Sequence, residues 1–138
     1  MKKGGNIYVK NLTIKYGDKV AINDVSIELI EGKVTAFIGP SGCGKSTFLR
    51  AFNRMNDEII GASMEGDISW MGKQILSDEI DPVLLRRAVS MVFQKPNVFP
   101  ISIYENVAFG LRIQGENEPS NLDAAVKQSL VDAALWDE

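Results

Sequence analysis

The chain has 138 residues, of which 45% are hydrophobic and 24% charged, as in an ordinary soluble globular protein. Its formal net charge of −3 gives no support to nucleic-acid binding, for which a clustered basic face is expected. No apolar run is long enough to span a bilayer, and residues 1–6 lack the apolar stretch of a secretory signal. The single cysteine, Cys43, cannot form an internal disulfide, which fits a reducing cytosol.

Alternating apolar residues near the N-terminus predict antiparallel strands. Ile7 and Val9 follow one phase, whereas Leu12, Ile14 and Tyr16 follow the other, so a bulge or turn near positions 10–11 is expected. Turns are predicted at the Gly-Asp and Glu-Gly pairs that flank the next alternating run.

A phosphate-loop pattern follows these strands. Residues 34–38 form a continuous apolar run, which is typical of a parallel strand buried on both faces. The next residues complete the pattern G-x-x-x-x-G-K-[ST] with Gly39, Gly44, Lys45 and Ser46. Apolar residues then recur at helical spacing, so the predicted order is strand, loop and helix. That order favours a nucleotide site over the alternative, a glycine-rich turn that matches by chance.

Each part of the loop suits phosphate chemistry. Glycines permit a tight backbone curl, and a helix N-terminus presents free N–H groups to an anion. Lys45 is expected to reach the β- and γ-phosphates, and the Ser46 hydroxyl to ligate Mg²⁺. Modification of Cys43 could block the nucleotide, although a tolerated small side chain is the simpler reading. The residues expected to contact ATP in this loop are Gly39, Pro40, Ser41, Gly42, Cys43, Gly44, Lys45, Ser46 and Thr47.

Downstream, short elements alternate with turns. A strand, a turn and a second strand are predicted over residues 66–75, and Asp81 followed by Pro82 marks a helix start. Residues 89–93 form another continuous apolar run, predicted as a strand that stops at Gln94.

Two helices are predicted to end the chain. Ser102 and Glu105 have capping-box spacing, and Ser120 with Asp123 repeats that signal. An apolar stripe at helical spacing continues to Ala134. Because no repeat or linker is visible, one compact α/β unit is expected.

The loop, Tyr16 upstream and Gln94 at the end of an apolar run resemble the nucleotide-binding subunits of ABC transporters over the whole chain. Longer strings are similar, more narrowly, to the ATPase subunits of bacterial phosphate importers; they lie at residues 53–57, 93–97, 99–100, 102–104 and 133–138. The resemblance implies an α/β fold, a P-loop NTPase core with an N-terminal antiparallel β subdomain. Residues 1–138 would be the N-terminal portion of a single nucleotide-binding domain.

The resemblance also assigns roles to single residues. Tyr16 would stack on the adenine, where the alternative is an ordinary strand aromatic covering the sheet. Gln94 would touch Mg²⁺ through its oxygen and orient a water, where the alternative is a polar residue ending a strand. Thr47 would hydrogen-bond the α-phosphate. Lys45 and Gln94 are thus the candidate catalytic residues, and Ser46 and Gln94 the candidate metal ligands.

Members of this family also carry an LSGGQ-type motif, a strand ending in catalytic carboxylates and a histidine further on. The chain contains no histidine and no LSGGQ-like string. Asp137 and Glu138 follow apolar residues, but the helical period continues into that segment, so they are not interpreted as the catalytic strand. The chain is therefore expected to be truncated before the helical subdomain's LSGGQ motif and the catalytic strand.

Three functions stay open on this basis. The first is the ATP-binding part of a phosphate importer, using ATP and Mg²⁺, with membrane permease subunits and a second ATPase subunit as partners. It would lie in the cytoplasm, on the inner face of the cell membrane, and bind no nucleic acid. The second is the same role for another small solute. The third is a nucleotide-binding fragment that does not hydrolyse ATP.

Overall fold

The structure, a computed structural model, describes residues 5–137, which pack as two compact units divided between Val92 and Phe93. The sequence predicts one compact unit instead. The difference arises because the two parts of the chain have separate hydrophobic cores, one around a sheet and one between two helices. No helix in the described range is long and apolar enough to cross a membrane.

The first unit is built on a four-stranded sheet in the order β2-β1-β3-β4, in which all neighbours are antiparallel. Its strands are β1 (Ile7–Tyr16), β2 (Lys19–Leu29), β3 (Ala62–Trp70) and β4 (Lys73–Gln74). The predicted antiparallel strands and both predicted turns in the β1–β2 region are therefore confirmed.

The predicted bulge in β1 is confirmed as well. The pairing of β1 with β2 shifts register between Val9 and Leu12, and Asn11 has a φ of 50°. The Asn11 amide donates to the Asp24 carboxylate at 2.8 Å across this irregularity. The bulge lets Val9, Leu12 and Ile14 all face the core despite their change of phase.

Helices cover this sheet. Helix α1 (Lys45–Ala51) is followed by a short 3₁₀ turn at Met55–Glu58, and helix α2 (Pro82–Ala88) comes after β4. The core joins strand residues to α1 through Phe48, whose ring meets those of Phe37 and Phe52 edge to face, both at 5.1 Å. The predicted start of α2 is confirmed, since the Asp81 carboxylate accepts a hydrogen bond from Val83 N–H at 2.8 Å.

The two strands predicted from continuous apolar runs are not observed. Residues 33–40 and 89–93 carry no strand assignment. Val34, Ile38 and Val92 are almost fully exposed, at 101%, 94% and 97%. An apolar run signals burial on both faces, but a strand forms only against a hydrogen-bonding neighbour. Within residues 5–137 neither run has one.

The second unit contains helices α3 (Ile103–Ile113) and α4 (Pro119–Asp132), with Ala108, Leu122 and Val126 buried between them. The Ser102 hydroxyl accepts from Glu105 N–H at 3.1 Å, which confirms the predicted start of α3.

The start of the last helix differs from its prediction. Helix α4 begins at Pro119 after Glu118, so Ser120 lies inside the helix instead of capping it. Proline suits the first helical position because its fixed φ is helical and it has no N–H to satisfy there. The helix ends at Asp132 and Ala134 has a φ of 57°, so the apolar stripe outlasts the helix. Asp137 follows no strand, and Glu138 lies outside the described residues.

Candidate functional site: the phosphate loop

Residues 39–44 form an exposed loop that runs directly into α1. Cys43 N–H donates to Pro40 C=O at 3.4 Å, which closes the loop's turn. Gly42 and Gly44 have φ values of 80° and 95°, in the left-handed region that favours glycine. Gly44 is also the residue that caps the N-terminus of α1. The predicted order of loop and helix is therefore confirmed, although residues 34–38, directly before the loop, form no strand.

Close packing adds to the need for glycine at position 44, where the neighbour is backbone, and leaves little room at position 39, where the neighbour is a side chain. A Cβ atom on Gly44 would lie 2.7 Å from both the Ala21 carbonyl oxygen and the Ile22 Cδ1 atom on β2. A Cβ atom on Gly39 would lie 2.8 Å from the Cys43 sulfur. The loop is thus held against the sheet at Gly44 and folded upon itself at Gly39.

Lys45 turns its side chain back over this loop. Its Nζ atom donates to the carbonyls of Gly39 and Pro40, both at 2.7 Å, and lies 3.5 Å from the Cys43 sulfur. The ammonium group is therefore centred on the loop, where a bound phosphate would meet it. A phosphate oxygen is a stronger acceptor than a peptide carbonyl, so an anion can displace these contacts.

An apolar cavity of about 430 Å³ borders the loop at Cys43, Gly44 and Lys45. The rest of its lining is hydrophobic and includes Ile22 and Phe37. Among the charged side chains of residues 5–137, only that of Lys45 contributes to this lining. The loop itself, and not this cavity, therefore offers the contacts that an anion needs.

Tyr16 and Thr47, both expected at the nucleotide, lie together. Tyr16 is half-buried at the end of β1, and its hydroxyl lies 3.3 Å from Thr47 Oγ1 on the first turn of α1. The same hydroxyl donates to Asn56 Oδ1 at 2.9 Å. The structure thus places the predicted base platform beside the phosphate-loop helix. Stacking on adenine stays a prediction.

Asn56 is the neighbour that sequence reasoning missed. It is fully buried in the 3₁₀ turn. No periodicity or spacing marks it, because a buried amide is recognised only through the groups that surround it. The available signal was its place in the string 53–57, which resembles the importer family.

The predicted metal ligands lie in different units. Ser46 is exposed on the first turn of α1, directly after Lys45. Gln94 is exposed near the start of the second unit. The roles of Ser46 and Gln94 at Mg²⁺ stay predictions. Next to the loop, the Lys45 ammonium can bind phosphate oxygens and the Ser46 hydroxyl can ligate Mg²⁺. Together these two groups fit a magnesium-bound triphosphate.

Comparisons with known proteins also indicate an ATP-binding domain. The family model "ABC transporter" matches residues 22–137. Curated relatives named "Phosphate import ATP-binding protein" include PstB 1 of Vibrio parahaemolyticus and PstB 3 of Natronomonas pharaonis, 53% and 54% identical over 132 residues. Another, PstB 2 of Bacillus licheniformis, is 56% identical over 130 residues.

These alignments cover 94–96% of this chain but 47–48% of each relative, so the chain spans about half the length of the relatives it matches. Among solved structures, a bacterial Atm1-family ABC exporter with ATP bound is similar, with a TM-score of 0.78 and 26% identity. That match covers 99% of this chain and 22% of the exporter chain. The chain belongs to the ABC transporter family and has the fold of the N-terminal part of its ATPase domain.

Proposed function

We propose that this chain is the ATP-binding part of an importer ATPase that energises uptake of inorganic phosphate. The observation that carries the proposal is the Lys45 ammonium, which lies 2.7 Å from two carbonyls of the glycine loop. Relatives named as phosphate import ATP-binding proteins, more than half identical over nearly all of this chain, support the choice of cargo.

The residues divide the work of binding. Exposed N–H groups of the loop and of the start of α1 donate hydrogen bonds to phosphate oxygens. The positive charge of Lys45 neutralises part of the negative charge of the β- and γ-phosphates. The Thr47 hydroxyl bonds the α-phosphate, and Tyr16 supports the adenine. Bound Mg²⁺ would neutralise part of the phosphate charge. Ser46 and Gln94 would hold it, and Gln94 would also orient a water.

The test of this site is calorimetry of Mg-ATP binding to the wild-type chain, to Lys45→Ala and to Lys73→Ala. Lys73 is exposed on β4, so its replacement removes one charge without touching the loop. Charge-assisted hydrogen bonds contribute about 1.5–3 kcal/mol each, so Lys45→Ala should weaken binding by at least about tenfold. Equal affinity of a folded Lys45→Ala variant and the Lys73→Ala control would refute the assignment.

Taken by themselves, residues 1–138 are proposed to bind ATP but to hydrolyse it negligibly. Transfer of the phosphoryl group to water requires acidic groups that hold Mg²⁺ and position the water. No carboxylate of residues 1–138 is assigned that role by the motifs of the sequence. Phosphate release above that of Lys45→Ala at saturating ATP would contradict this proposal.

The partners proposed for the whole subunit are membrane permease subunits and a second ATPase subunit, at the inner face of the membrane. The loop before α3 offers an apolar surface for the permease, because Val98, Phe99 and Ile101 are 73%, 43% and 48% exposed. An importer for another small solute would bind ATP in the same way. Uptake of labelled phosphate by the whole subunit with its permeases separates the two cargoes.

A further inference from the structure

Asn56 is a buried amide with a defined set of partners. Its Nδ2 atom donates to the Thr47 carbonyl at 2.9 Å and lies 3.6 Å from the Met64 sulfur. Its Oδ1 atom accepts from the Tyr16 hydroxyl at 2.9 Å. The orientation is determined by chemistry, because a carbonyl oxygen can only accept and must therefore face the amide nitrogen.

The turn that carries Asn56 is itself firmly held. Arg86 on α2 donates to the carbonyls of Asn53 and Arg54, at 3.2 and 2.9 Å. Arg54 in turn pairs with Asp57 at 2.8 Å and donates to the Ser77 carbonyl at 3.0 Å. Asn56 is therefore a fixed point to which other elements are attached, and not a side chain that follows them.

Two elements meet at this fixed point. Tyr16 ends β1 and Thr47 belongs to the first turn of α1, and the Asn56 side chain bonds to both. A phenol has one proton, which goes to the shorter contact with Asn56. The Thr47 hydroxyl, at 3.3 Å, can then donate to the phenol oxygen as long as no phosphate oxygen takes its single proton. The side chains of Tyr16, Thr47 and Asn56 thus form one hydrogen-bonded network between the end of β1 and helix α1.

We propose that Asn56 is a positioning residue for nucleotide recognition, which fixes the Tyr16 ring at a set distance from the Thr47 end of the phosphate loop. This inference rests on the proposed function, in which Tyr16 supports the base and the loop holds the phosphates. Preorganisation of the ring lowers the entropy lost when the base binds. Loss of the Asn56 contact should therefore weaken recognition of the base and leave that of the phosphates unchanged.

The test compares Mg-ATP with Mg-tripolyphosphate, which has the phosphates but no base, by calorimetry. Tyr16→Phe keeps the ring and removes only the hydroxyl, and Asn56→Ala removes the amide. Tyr8→Phe is the matched control, because Tyr8 lies on the same strand and is 51% exposed. From the net value of one hydrogen bond, we expect Tyr16→Phe to lose about fivefold in Mg-ATP affinity and to keep its affinity for Mg-tripolyphosphate.

Asn56→Ala should lose at least as much Mg-ATP affinity, because it also removes the hydrogen bond to the Thr47 carbonyl. The double variant should lose no more than the weaker-binding single variant, since the Tyr16–Asn56 hydrogen bond is already broken in each single variant. If Asn56→Ala does not fold, Tyr16→Phe alone decides the question. Equal affinity of Tyr16→Phe and Tyr8→Phe for Mg-ATP overturns the inference, as does an equal loss for both ligands. A wild-type chain that binds neither ligand overturns the proposed function itself.

Discussion

The Asn106 side chain brackets the backbone of Phe99 within the second unit. Its Oδ1 atom accepts from Phe99 N–H at 2.8 Å, and its Nδ2 atom donates to Phe99 C=O at 3.1 Å. The same Nδ2 atom lies 3.0 Å from the carbonyl of Ser102, which caps α3. One amide therefore shapes the loop that precedes α3. The Phe99 ring rests on that of Phe109, with centroids 4.5 Å apart.

Replacement of Asn106 by Ala should release this loop. Several backbone groups lose their partner at once, but they lie near water, so the free energy of unfolding should fall by only about 1 kcal/mol. Hydrogen exchange at the Phe99 amide should accelerate well beyond this global change. The control is Asn117→Ala, because Asn117 makes one exposed contact, to Gly115 C=O. Unchanged exchange at Phe99 would show that other contacts shape the loop.

Replacement of Gly44 by Ala should destabilise the first unit and weaken ATP binding. The left-handed φ of 95° alone costs a non-glycine residue about 1–2 kcal/mol. The added methyl group would also meet the Ala21 carbonyl at 2.7 Å, so the loop must move away from β2. Chemical denaturation and calorimetry measure the two effects.

Gly32→Ala is the control that separates the cost of the backbone conformation from the cost of the steric collision. Gly32 has a φ of 70°, and a Cβ atom there would meet nothing within 4 Å. The free energy of unfolding of Gly32→Ala should fall only by the cost of the left-handed backbone, and the variant should keep its affinity for Mg-ATP. Equal losses in both variants would mean that β2 yields freely to the new methyl group.

Tyr104 links α3 to α4 in the second unit through a 2.7 Å hydrogen bond to the Asp123 carboxylate. This bond, with smaller effects of burial and of the Asp123 charge, raises the pKa of Tyr104 above its ordinary 10.0. A raised folded pKa means that the stabilisation is complete below pH 10 and is lost as pH rises through the folded pKa.

Titration of labelled tyrosines by NMR tests this relationship. Asp123→Asn removes the charged acceptor, so the pKa of Tyr104 should move down toward its ordinary value. If the titration of Tyr104 were identical in both proteins, the hydrogen bond would not form in solution.

The sequence patterns correctly predicted those features of the fold that depend on residues close together in the chain. The phase change in β1 located its bulge, and the Asp81-Pro82 and Ser102 signals located two helix starts. The predicted helix start at Ser120 was wrong because Pro119, just before it, is the better first helical residue. Each of these outcomes depends on residues within a few positions of one another.

The errors and omissions concern distant partners. Residues 34–38 have the composition of a buried strand, but a strand depends on a neighbour that composition does not supply. Asn56 is important only because Tyr16 and Thr47 converge on it, and these lie 40 and 9 positions away. The phosphate-loop pattern could be recognised in the sequence because it is local, from Gly39 to Thr47, and the contacts of these residues with ATP stay predictions.

The last prediction concerns the apolar surface before α3, in the whole subunit with its permease. Phe99→Asp places a charge on this surface, which should lower permease association and phosphate uptake, because burying an unpaired carboxylate at an interface is costly. ATP affinity should change little. Ile113→Asp, on an equally apolar and more exposed residue at the end of α3, is the control. Pull-down of the permease, uptake and calorimetry give the three readouts.

The outcomes separate a docking surface from a core residue. Phe99 is 43% exposed and contacts Phe109, so a charge can turn toward water without entering the core formed by Ala108, Leu122 and Val126. A selective loss of association in Phe99→Asp, absent in Ile113→Asp, supports the surface as the permease contact. Loss of folding together with ATP binding would instead make Phe99 part of the core, and equal effects of both variants would place the contact elsewhere.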